Sequence, residues 1–335
     1  MLKNRIFDIS IFVFCFAIIV GGAYNTYVHF DFSHSPDTKS YMKMAVGDFD
    51  VNVTHRYRVI IPFLAGSLAS TIDFIYPLIW KTRGGFDWSL RLAFFIINSI
   101  LVSFSAFLIF KICHWHKVSL IACMIAVIAF LSSRWAFYIA GMPYIDSLYL
   151  VVVFSLIYGL LNGNQWLICF ALLIGLVAKE SFLLFVPIAF YFNRQKIVLN
   201  SIAFMVGVGI FYVIRLQISA VSTSGNIEGF QNAINHLENI QYSLFRMLSI
   251  KGLAEIFFTF GVFNFFFFYS MLHARTIAIS VSPVLYCILP IVGVHILLSG
   301  DVGRMLYISA PYFCTTFAIG AEVALMRINR NAESL

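Results

Sequence analysis

Apolar residues run through this chain in long blocks separated by short polar breaks. The blocks at 6–28, 88–111, 118–133, 146–161, 196–218, 252–271, 275–298 and 302–326 each predict a helix that crosses a lipid bilayer. A further stretch, 165–192, is interrupted by Ala178-Lys179-Glu180-Ser181. Two charges are costly in mid-bilayer, so this stretch predicts two short helices meeting at an interface near Lys179, which makes about ten spans. Residues 59–79 are nearly as apolar but contain Pro62, Gly66, Asp73 and Pro77, and they read as a re-entrant or interfacial segment. The period-two alternation of a membrane-spanning barrel is absent from the pattern. The expected fold is therefore all-α, a single transmembrane bundle over 1–335. Its first outer loop, 29–87, carries interfacial helices, and a second outer loop occupies 219–250.

Composition agrees: 61% hydrophobic and 11% charged residues with a mean hydropathy of +0.90 exclude an ordinary soluble globule. The formal charge of +7 does not point to nucleic acid, because Lys and Arg never cluster beyond pairs. Basic residues beside membrane spans orient the chain instead. With ten crossings and a cytoplasmic N-terminus, Lys3, Arg5, Lys111, Lys117, Arg194, Lys196, Arg275, Arg327 and Arg330 all fall inside, against Asp8, Glu322 and Glu333. Both termini are then cytoplasmic. Residues 6–28, behind Lys3 and Arg5, read as a signal anchor rather than a cleaved signal. The six cysteines lie in or beside apolar blocks without a CxxC pair, so neither a disulfide framework nor a zinc site is expected.

That topology puts Asp146, Lys179, Glu180, Arg215, Glu255, His295, Asp301 and Arg304 at the outer ends of spans and leaves the span middles almost free of charge. An outer-face reaction site fits this better than a transporter, whose ionisable residues would sit near the midplane of paired repeats. The loop after the first span is the most polar region of the chain. In it Ser35-Pro36-Asp37 is a helix-start signal, with Tyr41, Met44 and Ala45 following at helical spacing. Asp37 then stands at a helix N-terminus facing the mouth of the bundle. It could serve there as a general base toward a hydroxyl, or simply as a cap.

A resemblance joins these residues. Asp37-Thr38-Lys39-Ser40-Tyr41 with Ala45 resembles the acidic motif in the first outer loop of GT-C membrane glycosyltransferases, which use polyprenyl-phosphate sugars. His55-Arg56-Tyr57-Arg58 before Ile61-Pro62-Phe63-Leu64 is similar to that family's Arg-rich, Pro-containing segment. Tyr144 to Tyr149, with Asp146, resembles the Asp that opens a middle helix. Gly175 to Glu180 is similar to a Gly-x-x-x-Lys-Glu break, and Gly300-Asp301-Val302-Gly303-Arg304 to an Asp-x-x-Arg element before a final span.

The resemblance implies an inverting transferase in the cytoplasmic (inner) membrane, with a polyprenyl-phosphate sugar as donor and a glycan or glycolipid as acceptor. Asp37 would be the base and Asp31 the alternative; Asp146, opening its helix at the same mouth, could orient the acceptor, hold Arg58 in place or simply cap the helix. Lys179 and Arg304, then Arg56 and Arg58, would neutralise the lipid phosphate, with Glu180 and Asp301 beside them. The family pattern departs at Thr38, where a second acid is common. No metal is assigned, although His34 and His55 flank Asp37, Asp48 and Asp50, so a divalent cation stays conceivable. Ser219 to Gly225 reads as a mobile stretch, and Phe230, Ile234, Leu237, Ile240 and Leu244 as an amphipathic helix, either a lid or an inert surface helix. Competing readings are a flippase for lipid-linked sugars, a polysaccharide polymerase of a different membrane fold, and a non-catalytic subunit.

Overall fold

The computed structural model describes residues 2–32, 35–79, 86–221, 240–272 and 281–333. Every regular element among them is helical. The first helix, α1 (Leu2–His29), leads into the polar loop, where α2 (Pro36–Ala45) and the single turn α3 (Val53–Arg56) form. Pro36 starts α2 with its φ already helical, and Thr38 Oγ1 ties the start down by donating to Phe32 O at 2.8 Å and Ser35 O at 2.9 Å. Asn52 caps α3, its side chain accepting from Thr54 N at 3.0 Å.

Next come α4 (Ile60–Ile72), α5 (Tyr76–Ile79) and the long α6 (Phe86–Trp115). The stretch 59–79 is therefore not one continuous helix: α4 has 13 residues, about 20 Å of rise, and ends at Asp73. Then α7 (Leu120–Leu131) and α8 (Arg134–Gly141) follow, each opened by a serine cap and bent by 59° at Ser132-Ser133.

The next helix, α9 (Asp146–Asn162), is the axis of the bundle. Fourteen of its 17 residues are buried, as expected for a helix apolar on every side. It packs against α6 and against α10 (Gln165–Ala178), and α10 packs on α12 (Ile197–Val221). Between α10 and α12 the chain breaks at Lys179, whose φ of −164° and ψ of 132° are extended. A 3-10 stretch (Glu180–Phe185) and α11 (Val186–Phe192) complete the return.

Gly175 makes that reversal possible. A Cβ there would sit 2.1 Å from Cδ1 of Phe182, a ring with no solvent exposure that folds back onto α10. Gly175→Ala should cost about 1–3 kcal/mol through overpacking. Thermal unfolding in detergent reads this, and adding Phe182→Leu should recover part of the loss; an unshifted transition in Gly175→Ala would refute the packing argument.

The remaining helices are α13 (240–248), α14 (Ile250–Phe260), α15 (Asn264–Leu272), α16 (Pro283–Tyr286), α17 (Ile288–Ser299), α18 (Val302–Leu306) and α19 (Ala310–Glu333). Gly300, at φ 71°, closes α17 in the left-handed conformation, and Asp301 caps α18 by accepting from Arg304 N at 3.3 Å.

The helical bundle holds, but the count of long spans is lower than ten. Among the described residues, five helices are long and apolar enough to cross a membrane, and six if α7 and α8 count as one bent span. Asp146–Asn162, Gln165–Ala178, Glu180–Phe192 and Pro283–Ser299 are apolar helices of only 10–17 residues. α12 shows its lipid side plainly, with Val198, Ile202, Met205, Val213 and Leu216 all exposed. Most of the expected second outer loop, including the amphipathic pattern from Phe230 to Leu237, lies outside the described residues.

Candidate functional site

Six segments remote in sequence deliver polar side chains to one end of the bundle. α2 contributes Asp37 and Tyr41, one turn apart on the same face. The stretch 54–58 contributes His55 and Arg58, and α9 contributes Asp146 at its first position. The break after α10 supplies Lys179, Glu180 and Ser181, while α17 supplies His295 and Ser299, and α18 supplies Arg304. Together they line a cavity of about 410 Å³.

Asp37 uses both carboxylate oxygens. Oδ1 lies 3.3 Å from His55 Nε2, and Oδ2 accepts from Arg304 Nη1 at 3.0 Å. The backbone cap of α2 is Ser35, so Asp37 is not consumed in capping. Arg304 is the hub. Besides Asp37 it has Asp146 Oδ2 at 3.6 Å and Asp301 Oδ2 at 3.2 Å, and its guanidinium lies 5.6 Å from the Tyr144 ring centre.

Lys179 Nζ donates to Asp146 Oδ1 at 3.1 Å and lies 5.3 Å from the Tyr149 ring centre. Behind it runs an ordered relay: Ser181 Oγ donates to Tyr149 Oη at 3.3 Å, and Tyr149 Oη lies 2.8 Å from His295 Nε2. His295 Nδ1 is 2.9 Å from the Ile291 carbonyl. That carbonyl fixes the proton on Nδ1, leaving Nε2 to accept from the tyrosine.

The loop before α9 is pinned from behind by Asn98, a fully buried residue of α6. Its Nδ2 donates to Met142 O and Tyr144 O, both at 2.9 Å, and its Oδ1 accepts from Ser147 Oγ at 2.6 Å. This places Asp146 within reach of Lys179 and Arg304.

Arg58 closes the ring of charges, with Nε on Glu180 Oε2 at 3.1 Å and Nη1 on Tyr41 Oη at 3.3 Å. Burial works against the Arg58 charge, but Tyr41, Glu180 and Asp146 outweigh it and hold its pKa above the usual value. Burial likewise pushes the Tyr41 hydroxyl up, so it stays protonated. His55 goes the other way: burial lowers it below the ordinary imidazole value, against the pull of Asp37, and it is neutral at pH 7.

The lining carries three carboxylates, Asp37, Asp146 and Glu180, and three cations, Arg58, Lys179 and Arg304. Each cation is already paired. An anion that binds one of these cations competes with a carboxylate already there, and on Arg304 the competitors are Asp37, Asp146 and Asp301.

The candidate residues divide on these grounds. Asp37, Asp146, Lys179, Glu180, Arg58 and Arg304 come together, and Asp301 supports Arg304 from a neighbouring pocket. Asp31 is exposed and interacts with Arg91 instead. Arg56 is buried with Nη2 donating to Val51 O at 2.8 Å, away from the lining. Asp146 clamps Lys179 and Arg304, whereas Arg58 takes Glu180 as its ion-pair partner. Sequence reasoning missed Tyr149, Ser181 and Ser299 in the site. Tyr41 had a usable signal, four residues after Asp37 on one helix face.

Among the described residues no three His, Cys, Asp or Glu side chains are grouped to hold a metal. His34, one of the residues that left a divalent cation conceivable, lies outside them. At the C-terminal end of α2, Met44, Phe49, Val59, Phe63, Val213 and Ile218 line an apolar groove of about 900 Å³. α2 thus borders both spaces, with Asp37 and Tyr41 toward the charged cavity and Met44 toward the groove. Comparison of the chain with family models, curated proteins and solved structures found no significant match.

Proposed function

We propose that this chain is a membrane glycosyltransferase that moves a sugar from a polyprenyl-phosphate donor to a hydroxyl of a lipid-linked or surface glycan, with inversion. The observation that carries the reading is the contact of Asp37 with Arg304 in a charge-balanced cavity at the start of α2, whose other end borders an apolar groove.

In this reading the donor's lipid chain lies in the groove and its phosphate enters the cavity. The phosphate takes Arg304 and Lys179 as partners, because charge-assisted contacts to phosphate compete well with those to carboxylates in a poorly solvated site. Arg304 then releases Asp37. The freed carboxylate accepts the proton of the acceptor hydroxyl as that oxygen bonds to the anomeric carbon from the face opposite the phosphate. The bond between the anomeric carbon and the phosphate oxygen breaks, and lipid phosphate departs with the electron pair. A ten-crossing path in the cytoplasmic membrane, both termini inside and the cavity facing out, belongs to the same proposal.

Mass spectrometry of lipids and surface glycans from cells with and without the gene tests it. Loss of one sugar residue together with accumulation of its lipid-phosphate donor is the expected result. Unchanged glycans and lipids overturn the reading.

A further inference from the structure

A second polar pocket, of about 320 Å³, adjoins the charged cavity, and Ser299 lines both. Its walls come from α8, α13, α14 and the turn between α17 and α18. On one side Arg246 is locked: it donates through Nε to Glu255 Oε2 at 3.2 Å, and its other nitrogens bond Glu255 Oε1 and Tyr242 Oη. On another side Asp301 is paired with Arg304.

Arg134 is different. It is exposed in the pocket, and its contacts are two rings, with the guanidinium carbon 4.9 Å from the Trp135 centre and 5.7 Å from that of Tyr138. The neighbouring cations Arg58, Lys179, Arg246 and Arg304 all have carboxylate partners. Arg134 and Arg246 balance Glu255 and Asp301 in the lining, but among the described residues Arg134 has no carboxylate within ion-pair distance, unlike those four cations. The rings hold the fork in place, which reduces the entropy lost when it binds an oxyanion.

Exposed Tyr242 adds a flat apolar face beside this cation, and the buried Trp135 forms the pocket floor, next to the hydrogen-bonding groups of Asp301 and Ser299. A pyranose ring has the matching chemistry: a C–H face that stacks on an aromatic ring and a rim of hydroxyls. The pocket is also tied to the cavity mechanically. A Cβ on Gly303 would lie 2.6 Å from Trp135 Nε1, so the indole packs directly over the residue that precedes Arg304.

We propose that this pocket is a binding site for an anionic saccharide, with Arg134 on its oxyanion and Trp135 and Tyr242 on its ring. Resting on the transferase reading, it is the acceptor subsite, and the acceptor carries a phosphate or a carboxylate on the sugar that enters here.

The test reads binding without turnover. Protein in nanodiscs is labelled with 5-fluorotryptophan, and the Trp135 resonance is assigned by its loss in Trp135→Phe. Glucose 1-phosphate and a glucuronate disaccharide are titrated against glucose and maltose. Expected is a shift of the Trp135 signal by an anionic sugar, with affinity reduced at least about tenfold in Arg134→Gln. A response to the phosphate alone or to the uronate alone identifies which oxyanion the pocket takes. Absence of any shift, equal shifts by the neutral sugars, or equal affinity in Arg134→Gln would overturn the proposal. A null result here leaves a glycan defect in cells without the gene standing, and a positive one stands even if no such defect is found.

Discussion

Asp37→Asn is expected to lower sugar transfer by about 10²–10⁴-fold, the usual contribution of a positioned general base. Asparagine keeps the shape of the side chain but cannot take up the acceptor's proton. The fold should survive, because Arg304 retains Asp146 and Asp301 when Asp37 loses its charge. Donor binding should also persist, since the substitution leaves Lys179 and Arg304 in place and removes a competitor for Arg304. The pH profile offers a second reading of the same site. Burial lowers the His55 pKa, so its imidazole is neutral at pH 7 and becomes charged only below the ordinary value of 6.5. Once charged, it pairs with Asp37 across 3.3 Å and competes with the acceptor hydroxyl for that carboxylate. Transfer should then fall on the acid side with a midpoint below 6.5, and His55→Gln should remove that limb. The linkage sign is consistent: a histidine lowered on folding contributes stability above pH 6.5 and loses it as pH falls toward the folded value. A transfer assay in vesicles with purified donor checks both. Full activity in Asp37→Asn with loss in Asp31→Asn would move the base to Asp31.

How much of this is legible in the amino-acid sequence depends on the range of the interaction. Asp146, Lys179 and Arg304 stand out because each interrupts an apolar run at the end of a helix, where burial of a charge demands a partner. The helix start at Asp37 is readable from Ser35-Pro36, a local signal. The partners are not, because they lie far along the chain: Asp37 and Arg304 are separated by 267 positions, Arg58 and Glu180 by 122. Arg56 and Arg58 look equivalent in sequence. They diverge because Arg56 is the last residue of a one-turn helix with its guanidinium on Val51 O, while Arg58 lies beyond the helix end and reaches Glu180. Hydropathy overcounts the long spans for a different reason. It registers apolar composition but not helix length, so Asp146–Asn162, of 17 residues, reads as a full crossing.

The second large effect should come from Asp146, through stability rather than chemistry. Its side chain is about 10% exposed and accepts from Lys179, itself about 11% exposed, with Arg304 on the other oxygen. Removing one member of a buried pair leaves an uncompensated charge and costs about 3–5 kcal/mol, more than the pair contributes by existing. Asp146→Asn should therefore destabilise the protein strongly, and Lys179→Met should do so too. The double variant Asp146→Asn with Lys179→Met removes both charges, so its loss should be smaller than the sum of the singles by about 0.5–3 kcal/mol. Arg304 then still has Asp37 and Asp301. Denaturant unfolding in detergent, followed by helix signal, measures the cycle. Additive losses would mean that Lys179 and Asp146 do not interact, and the cavity would lose the pair that anchors it. A rescued double variant that still fails to use the lipid-phosphate donor would separate the two duties of Lys179. Its charge is held in the fold by Asp146, and in the proposed reaction it is set free for the donor when the phosphate arrives.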